Sequence, residues 1–274
     1  QIIINIFWGP VFNAVYSVAL KLPNMMRRVF VEPSWALTTT FTDLAARQDR
    51  GRIEQLLYMY SKALSILTFP ICWTLVLFAR PIIHSWVGPE FEMAGRLLPY
   101  FSMTLFIGIP FSLSGCIINA TGKVKIPSFV SIFSAIGNVI LCLVLGQVFG
   151  LKLFGVAFAA LVSSVLFSTL FLPGYTCRIT GLSLRRYWVE SFVKPFFISC
   201  LFMAGGFWVL GLSRFNSFVN VELFFALTAL SAVYYLTSYL ALLNIEEKKH
   251  LHEVLKWVAD TIHRLPSKST GDMG

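Results

Sequence analysis

Six polar side chains recur at spacings that place them on one side of a helix: Asn13, Ser17, Lys21, Asn24, Arg28 and Glu32. At about 100° per residue, with Lys21 set at zero, Arg28 falls near −20°, Glu32 near +20°, Ser17 near −40°, Asn24 near −60° and Asn13 near −80°. Phe12, Ala19, Met26, Phe30 and Leu37 fall at about 140° to 180°, on the opposite side. Two cations two turns apart, with amides and hydroxyls around them, would be tolerated in lipid only if the stripe faced protein or a water-filled cavity. Lys62, in the next apolar segment with Tyr58 one turn before it, is a seventh candidate. Arg27 lies about 120° off this stripe and reads as structural. Two plainer readings compete: Lys21 and Arg28 snorkel toward water, or Arg28 pairs with Glu32 four residues on.

Other chemistries find little support. Cys72, Cys116, Cys142, Cys177 and Cys200 are scattered singly, with no C-x-x-C pair, and the four histidines show no metal-ligand spacing, so the cysteines read as small apolar residues. No metal site, cofactor or phosphate-binding loop is expected. A membrane enzyme would need a carboxylate or histidine constellation at one face, and none is visible. Asn119-Ala120-Thr121 matches a glycosylation acceptor by chance, and Gly146 and Gly150 read as loop glycines despite their small-x-x-x-small spacing. Pro70, Pro110 and Pro127, with Gly108 and Gly137, are expected to kink or break helices.

The elements that position these residues must sit in lipid. Of 274 residues, 57% are hydrophobic and only 13% charged, and the mean hydropathy is +0.74. Soluble domains carry about a quarter charged residues. That excludes an ordinary cytosolic enzyme, a disordered chain or a nucleic-acid-binding module. Six charge-free runs are long enough to cross the membrane: Ala63 to Ala79, Leu97 to Gly122, Ile126 to Leu151, Leu153 to Cys177, Pro195 to Ser213 and Leu223 to Ile245. One long helix from Val11 to about Ala46, after the Gly9-Pro10 turn, makes seven complete spans.

Basic residues alternate between the connections, 14 on one side against 4 on the other. The positive-inside rule puts the richer set, including the C-terminal tail, in the cytoplasm. Most of the net charge of +9 is therefore topology. Leu251, Leu255, Val258 and Ile262 form an apolar stripe beside basic residues, as an interfacial helix would. Leu184-Arg185-Arg186-Tyr187-Trp188 reads as an interfacial turn. The opening, Gln1-Ile2-Ile3-Ile4, reads as the tail of a span that begins upstream. The expected organisation is a transmembrane bundle over 1–176, a cytoplasmic interfacial loop over 177–194, two further spans over 195–245 and an amphipathic tail over 246–274.

Ile6-Phe7-Trp8-Gly9-Pro10-Val11-Phe12-Asn13-Ala14-Val15-Tyr16-Ser17-Val18-Ala19, then Pro33-Ser34 and the basic loop Arg47 to Arg52, resemble the C-terminal half of bacterial polysaccharide-repeat flippases. These belong to the MATE-like multidrug/oligosaccharidyl-lipid/polysaccharide exporter superfamily. Ile82-Ile83-His84-Ser85-Trp86-Val87-Gly88-Pro89-Glu90-Phe91 and Asn119-Ala120-Thr121-Gly122-Lys123-Val124-Lys125 continue the similarity in order, over about Gln1 to Thr180. The resemblance implies two six-helix lobes around a central cavity, two additional spans, and alternating access that turns a lipid-linked oligosaccharide across the membrane. This chain would supply the second lobe and the additional pair. It departs from the pattern in lacking the first lobe.

The expectation is an all-helical polytopic inner-membrane protein, not an enzyme. It would be half of a flippase for a polyprenyl-diphosphate-linked repeat unit, with partners in that substrate, the N-terminal lobe and membrane lipids. A multidrug or lipid II exporter of the same superfamily is the nearest alternative. A membrane glycosyl- or acyltransferase is the alternative of another class.

Overall fold

The computed structural model describes residues 2–212, 231–240 and 242. Among these, every regular element is helical. Arg50–Leu77, Lys125–Val148, Leu153–Thr180 and Leu184–Gly205 are long and apolar enough to cross a membrane, and Pro89–Phe111 with Leu113–Ala120 makes a fifth crossing if that bent pair is one span. The run from Leu223 to Ile245 lies mostly outside the described residues, and the stripe from Leu251 to Ile262 lies wholly outside them.

The expected helix from Val11 to Ala46 is broken. Helix α1, Ile2–Trp8, meets α2, Pro10–Phe30, at Gly9, whose φ of 85° suits a residue without a Cβ and whose successor Pro10 opens α2. Helix α2 ends at Phe30, a 3-10 turn covers Pro33–Ala36, and α3 resumes at Leu37–Ala46. Pro33 causes the break, because its ring has no N–H to donate and clashes with the carbonyl four residues back. Pro23, by contrast, is accommodated and buried inside α2.

Helix α4, Arg50–Leu77, starts at Asp49, whose carboxylate accepts from the Arg52 amide at 3.0 Å. Helix α5, Ala79–Trp86, lies between α4 and α6, Glu92–Gly108. A 3-10 turn at Ile109–Phe111 carries Pro110, after which α7, Leu113–Ala120, departs at 43°. Helix α8, Lys125–Leu143, runs into a π-helical turn, Val144–Val148. Helices α9, Leu153–Ser164, and α10, Leu172–Thr180, are joined by a π-helical turn at Val165–Phe171. Helices α11, Leu184–Trp188, and α12, Lys194–Leu212, are joined by another at Val189–Val193.

The segment 177–194 is therefore nearly all helix, reversing at Gly181, which caps α10 in the left-handed conformation. Tyr187 does not lie on the surface as an interfacial residue would. It is fully buried, its hydroxyl 3.3 Å from Ser61 Oγ and 3.2 Å from Ser114 Oγ.

Three apolar clusters hold the helices together. Ala19, Leu97, Phe101 and Ala157 join α2, α6 and α9; Phe41, Leu57, Phe111 and Tyr187 join α3, α4 and α11; Phe69, Trp73, Phe106 and Phe202 join α4, α6 and α12. Phe129, Phe133, Ile136 and Ile140 of α8 remain exposed, as side chains solvated by lipid do. Gly146 is more than a loop glycine. A Cβ there would meet the Trp8 ring at 2.6 Å, and one at Gly155 would meet the Gly146 main-chain nitrogen at 2.7 Å, so the start of α9 packs directly on the end of α8. Gly150 does sit in a turn, with φ of 67°.

Candidate functional site

An open cleft of about 760 Å3 lies between α2, the α6–α7 bend, α8 and the α9–α10 junction. Helix α2 contributes Tyr16, Leu20, Pro23, Asn24, Arg27 and Val31. Their spacing of i, i+4, i+7, i+8, i+11 and i+15 is one helical face, about −160° to −60° on the scale that puts Lys21 at zero. The bend contributes Thr104, Gly108, Phe111, Ser112 and Asn119. Pro110 removes an N–H and Gly108 carries no side chain, which together let the helix turn away and leave space. Ser128, Ser131 and Ser134 project from α8, and Ser163, Ser164, Phe167 and Ser168 from α9 and its π-helical turn. The wider turn there carries Phe167 and Ser168 into the wall.

Arg27 is the one charged residue in the lining, and it forms no ion pair among the described residues. Most of the other polar groups are hydroxyls, and four of them are tied into their own helices. Thr104 donates to the Phe101 carbonyl at 2.7 Å, Ser112 to Ile109 at 2.8 Å, Ser128 to Val124 at 2.9 Å and Ser131 to Ser128 at 2.8 Å. Ser164 reaches the Thr104 carbonyl at 3.4 Å, and Ser163 Oγ accepts from the Asn138 amide at 2.9 Å. A second, apolar pocket of about 380 Å3 lies between α8 and α9 and shares Ser134, Ser163 and Phe167 with the cleft.

Helix α2 thus has three sectors. Val15, Ala19 and Met26 pack into the first cluster, and Tyr16, Asn24 and Arg27 face the cleft. Lys21, Arg28 and Glu32 are exposed on the remaining sector. Of the seven residues singled out from the sequence, Asn24 lines the cleft and the other six do not. Ser17 and Asn13 are half-buried, and the Asn13 side-chain oxygen is shielded without a hydrogen-bond partner. Arg28 and Glu32 do not pair with each other, because α2 ends at Phe30 and the i,i+4 geometry is lost before Glu32, and neither forms an ion pair among the described residues. Lys62 is only 3% exposed, and its ammonium donates to the Leu242 carbonyl at 3.2 Å, tying α4 to the far end of the chain.

Sequence spacing passed over Arg27 and Asn119. Arg27 shares a face with Tyr16, Leu20 and Val31, a mixed polar–apolar pattern that hides a cavity-facing cation among lipid-compatible neighbours. Asn119 drew attention only in a modification motif and in the run that carries the family resemblance.

The family model described as "Lipid II flippase MurJ" matches residues 3–244. The chain is 24% identical over 195 residues to "Uncharacterized membrane protein EpsK" of Bacillus subtilis (strain 168), a match covering 70% of this chain and 38% of that protein. The chain therefore spans well under half the length of that relative. No solved structure matches. The described helices form an apolar bundle with a polar, cation-bearing cleft, and with a family match over residues 3–244 the chain belongs to the lipid II flippase MurJ family.

Proposed function

We propose that this chain forms the second lobe and the additional helix pair of a transporter that flips a polyprenyl-diphosphate-linked oligosaccharide repeat unit across the inner membrane. The observation that carries this reading is the cleft: one arginine, two asparagines and a set of hydroxyls inside an apolar bundle, with no ion pair to that arginine and no carboxylate in the lining among the described residues. A diphosphate crossing about 30 Å of hydrocarbon needs such a polar, cationic path. A cation-exporting drug pump would place acidic groups there instead. Lys21 and Arg28, exposed on the adjoining sector of α2, would face the first lobe across the cavity between the lobes. The cytoplasmic side is assigned to the C-terminal tail and the basic loops, following the charge asymmetry.

Lipid II transport is the second reading, favoured by the description of the matching family. Depletion of the full-length protein separates the two. If it carries a repeat unit, lipid-linked oligosaccharide accumulates on the cytoplasmic face and surface polysaccharide is lost while cell-wall synthesis continues. Arrest of cell-wall synthesis with accumulating lipid II would establish the second reading instead.

A further inference from the structure

We propose that the serine-bearing wall of α8 and α9 receives the sugar hydroxyls of the transported molecule, while its diphosphate lies across the cleft at Arg27. This rests on the flippase reading above and adds to it the orientation of the cargo and the kind of sugar accepted.

The cleft is polarised in donors and acceptors. A serine hydroxyl has one proton and two lone pairs. Ser128 and Ser131 give their protons to carbonyls of α8, and Ser164 gives its proton to the carbonyl of Thr104. Each of these three oxygens then offers only lone pairs to the cleft, while Ser163, which accepts from the Asn138 amide, keeps its proton to donate. Phosphate and carboxylate oxygens only accept, so a wall of three acceptors beside a donor suits a ligand dense in hydroxyls, which both donate and accept. A sugar ring is that ligand. Across the cleft, α2 presents the complementary chemistry: the Arg27 guanidinium has five N–H donors and no acceptor, and the Asn24 amide adds two more donors.

Charge gives the same assignment. Arg27 stands alone in the lining, so nothing on the serine wall would neutralise an acidic sugar. The sugars seated there are therefore neutral. The volume, about 760 Å3, falls within the range of about 300–1,000 Å3 typical of small-molecule sites. It suits the few sugars nearest the diphosphate and not a long glycan.

The test uses the full-length protein in lipid nanodiscs with two soluble probes, maltotriose as a neutral trisaccharide and inorganic pyrophosphate. Binding is followed by saturation-transfer NMR for the sugar and by 31P line broadening for the anion. Ser128→Ala with Ser131→Ala should weaken maltotriose by about five- to tenfold, the loss of two hydrogen bonds, and leave pyrophosphate within about twofold. Arg27→Gln should do the reverse. Ser131→Thr, which keeps the hydroxyl, should bind maltotriose like the parent and so separates lost acceptance from altered packing. Serine variants that weaken both probes equally, or neither, would overturn the orientation while Arg27-dependent pyrophosphate binding leaves the flippase reading standing. Parent protein that binds neither probe would overturn both.

Discussion

A lone guanidinium in a membrane cleft is costly, about 2.5–3.5 kcal/mol at a bilayer centre on insertion scales, unless water or a ligand solvates it. Arg27 is held on the cleft face of α2 with no ion-pair partner among the described residues, an arrangement that makes sense for a group meant to meet an anion. Arg28 is exposed one sector away, so Arg28→Ala in the full-length protein should lower polysaccharide export at unchanged membrane level, with Arg28→Lys intermediate because charge survives without the bidentate fork. Immunoblotting against surface-polysaccharide staining reads both. Tyr187 illustrates a purely structural polar group: Tyr187→Phe strands Ser61 and Ser114. It should cost about 1–2 kcal/mol, seen as a lower melting temperature in detergent. Sequence spacing singled out α2, but of its stripe only Asn24 lines the cleft, which lies on the adjoining sector. A polar stripe is conspicuous when cations repeat along it, whereas Arg27 stands among apolar neighbours and only the packing of α6 and α8 shows which way it points.

The helices themselves were legible, because charge-free runs of about 20 residues leave few alternatives in lipid. Their interruptions were less so. The kink expected at Pro110 appears as the 43° bend, yet Pro33 breaks its helix while Pro23 does not. Nothing in the residue types separates those two prolines; burial of Pro23 against the lobe does. The π-helical turns left no sequence trace either. Close approach of α8 and α9 makes a sharper test of the packing. Gly155→Ala would push a methyl against main chain at 2.7 Å, whereas Gly146→Ala would meet the Trp8 ring. The first change should cost about 1–3 kcal/mol or more and sharply lower the yield of folded protein. The second should be rescued by Trp8→Leu, which yields space that a backbone cannot. Equal tolerance of both glycine changes in a size-exclusion assay would contradict this packing.

At the scale of the whole molecule, an apolar helical bundle and a family match over residues 3–244 place the chain in the lipid II flippase MurJ family, and the cation in its cleft is what the proposed role as one lobe of a flippase rests on. Orientation follows from the charge asymmetry, so in intact cells an impermeant thiol reagent should label a cysteine placed at Ser85 and not one at Ser267. The reverse pattern would invert the topology. Cys72, Cys116, Cys142 and Cys177 are buried, so the reagent should not reach these native thiols. The all-helical membrane character could be read from the sequence; of the seven spans expected, four or five are long and apolar enough among the described residues. The cleft could not, since it is assembled from four elements distant along the chain. The most direct measurement is transbilayer movement of a fluorescent polyprenyl-diphosphate oligosaccharide in liposomes carrying the full-length protein. Arg27→Ala should slow it by about tenfold or more, the loss of a charge-assisted contact of about 1.5–3 kcal/mol, with Arg27→Lys between that variant and the parent. Movement at the parental rate by Arg27→Ala, at matched reconstitution, would contradict a cationic cleft as the path of the diphosphate.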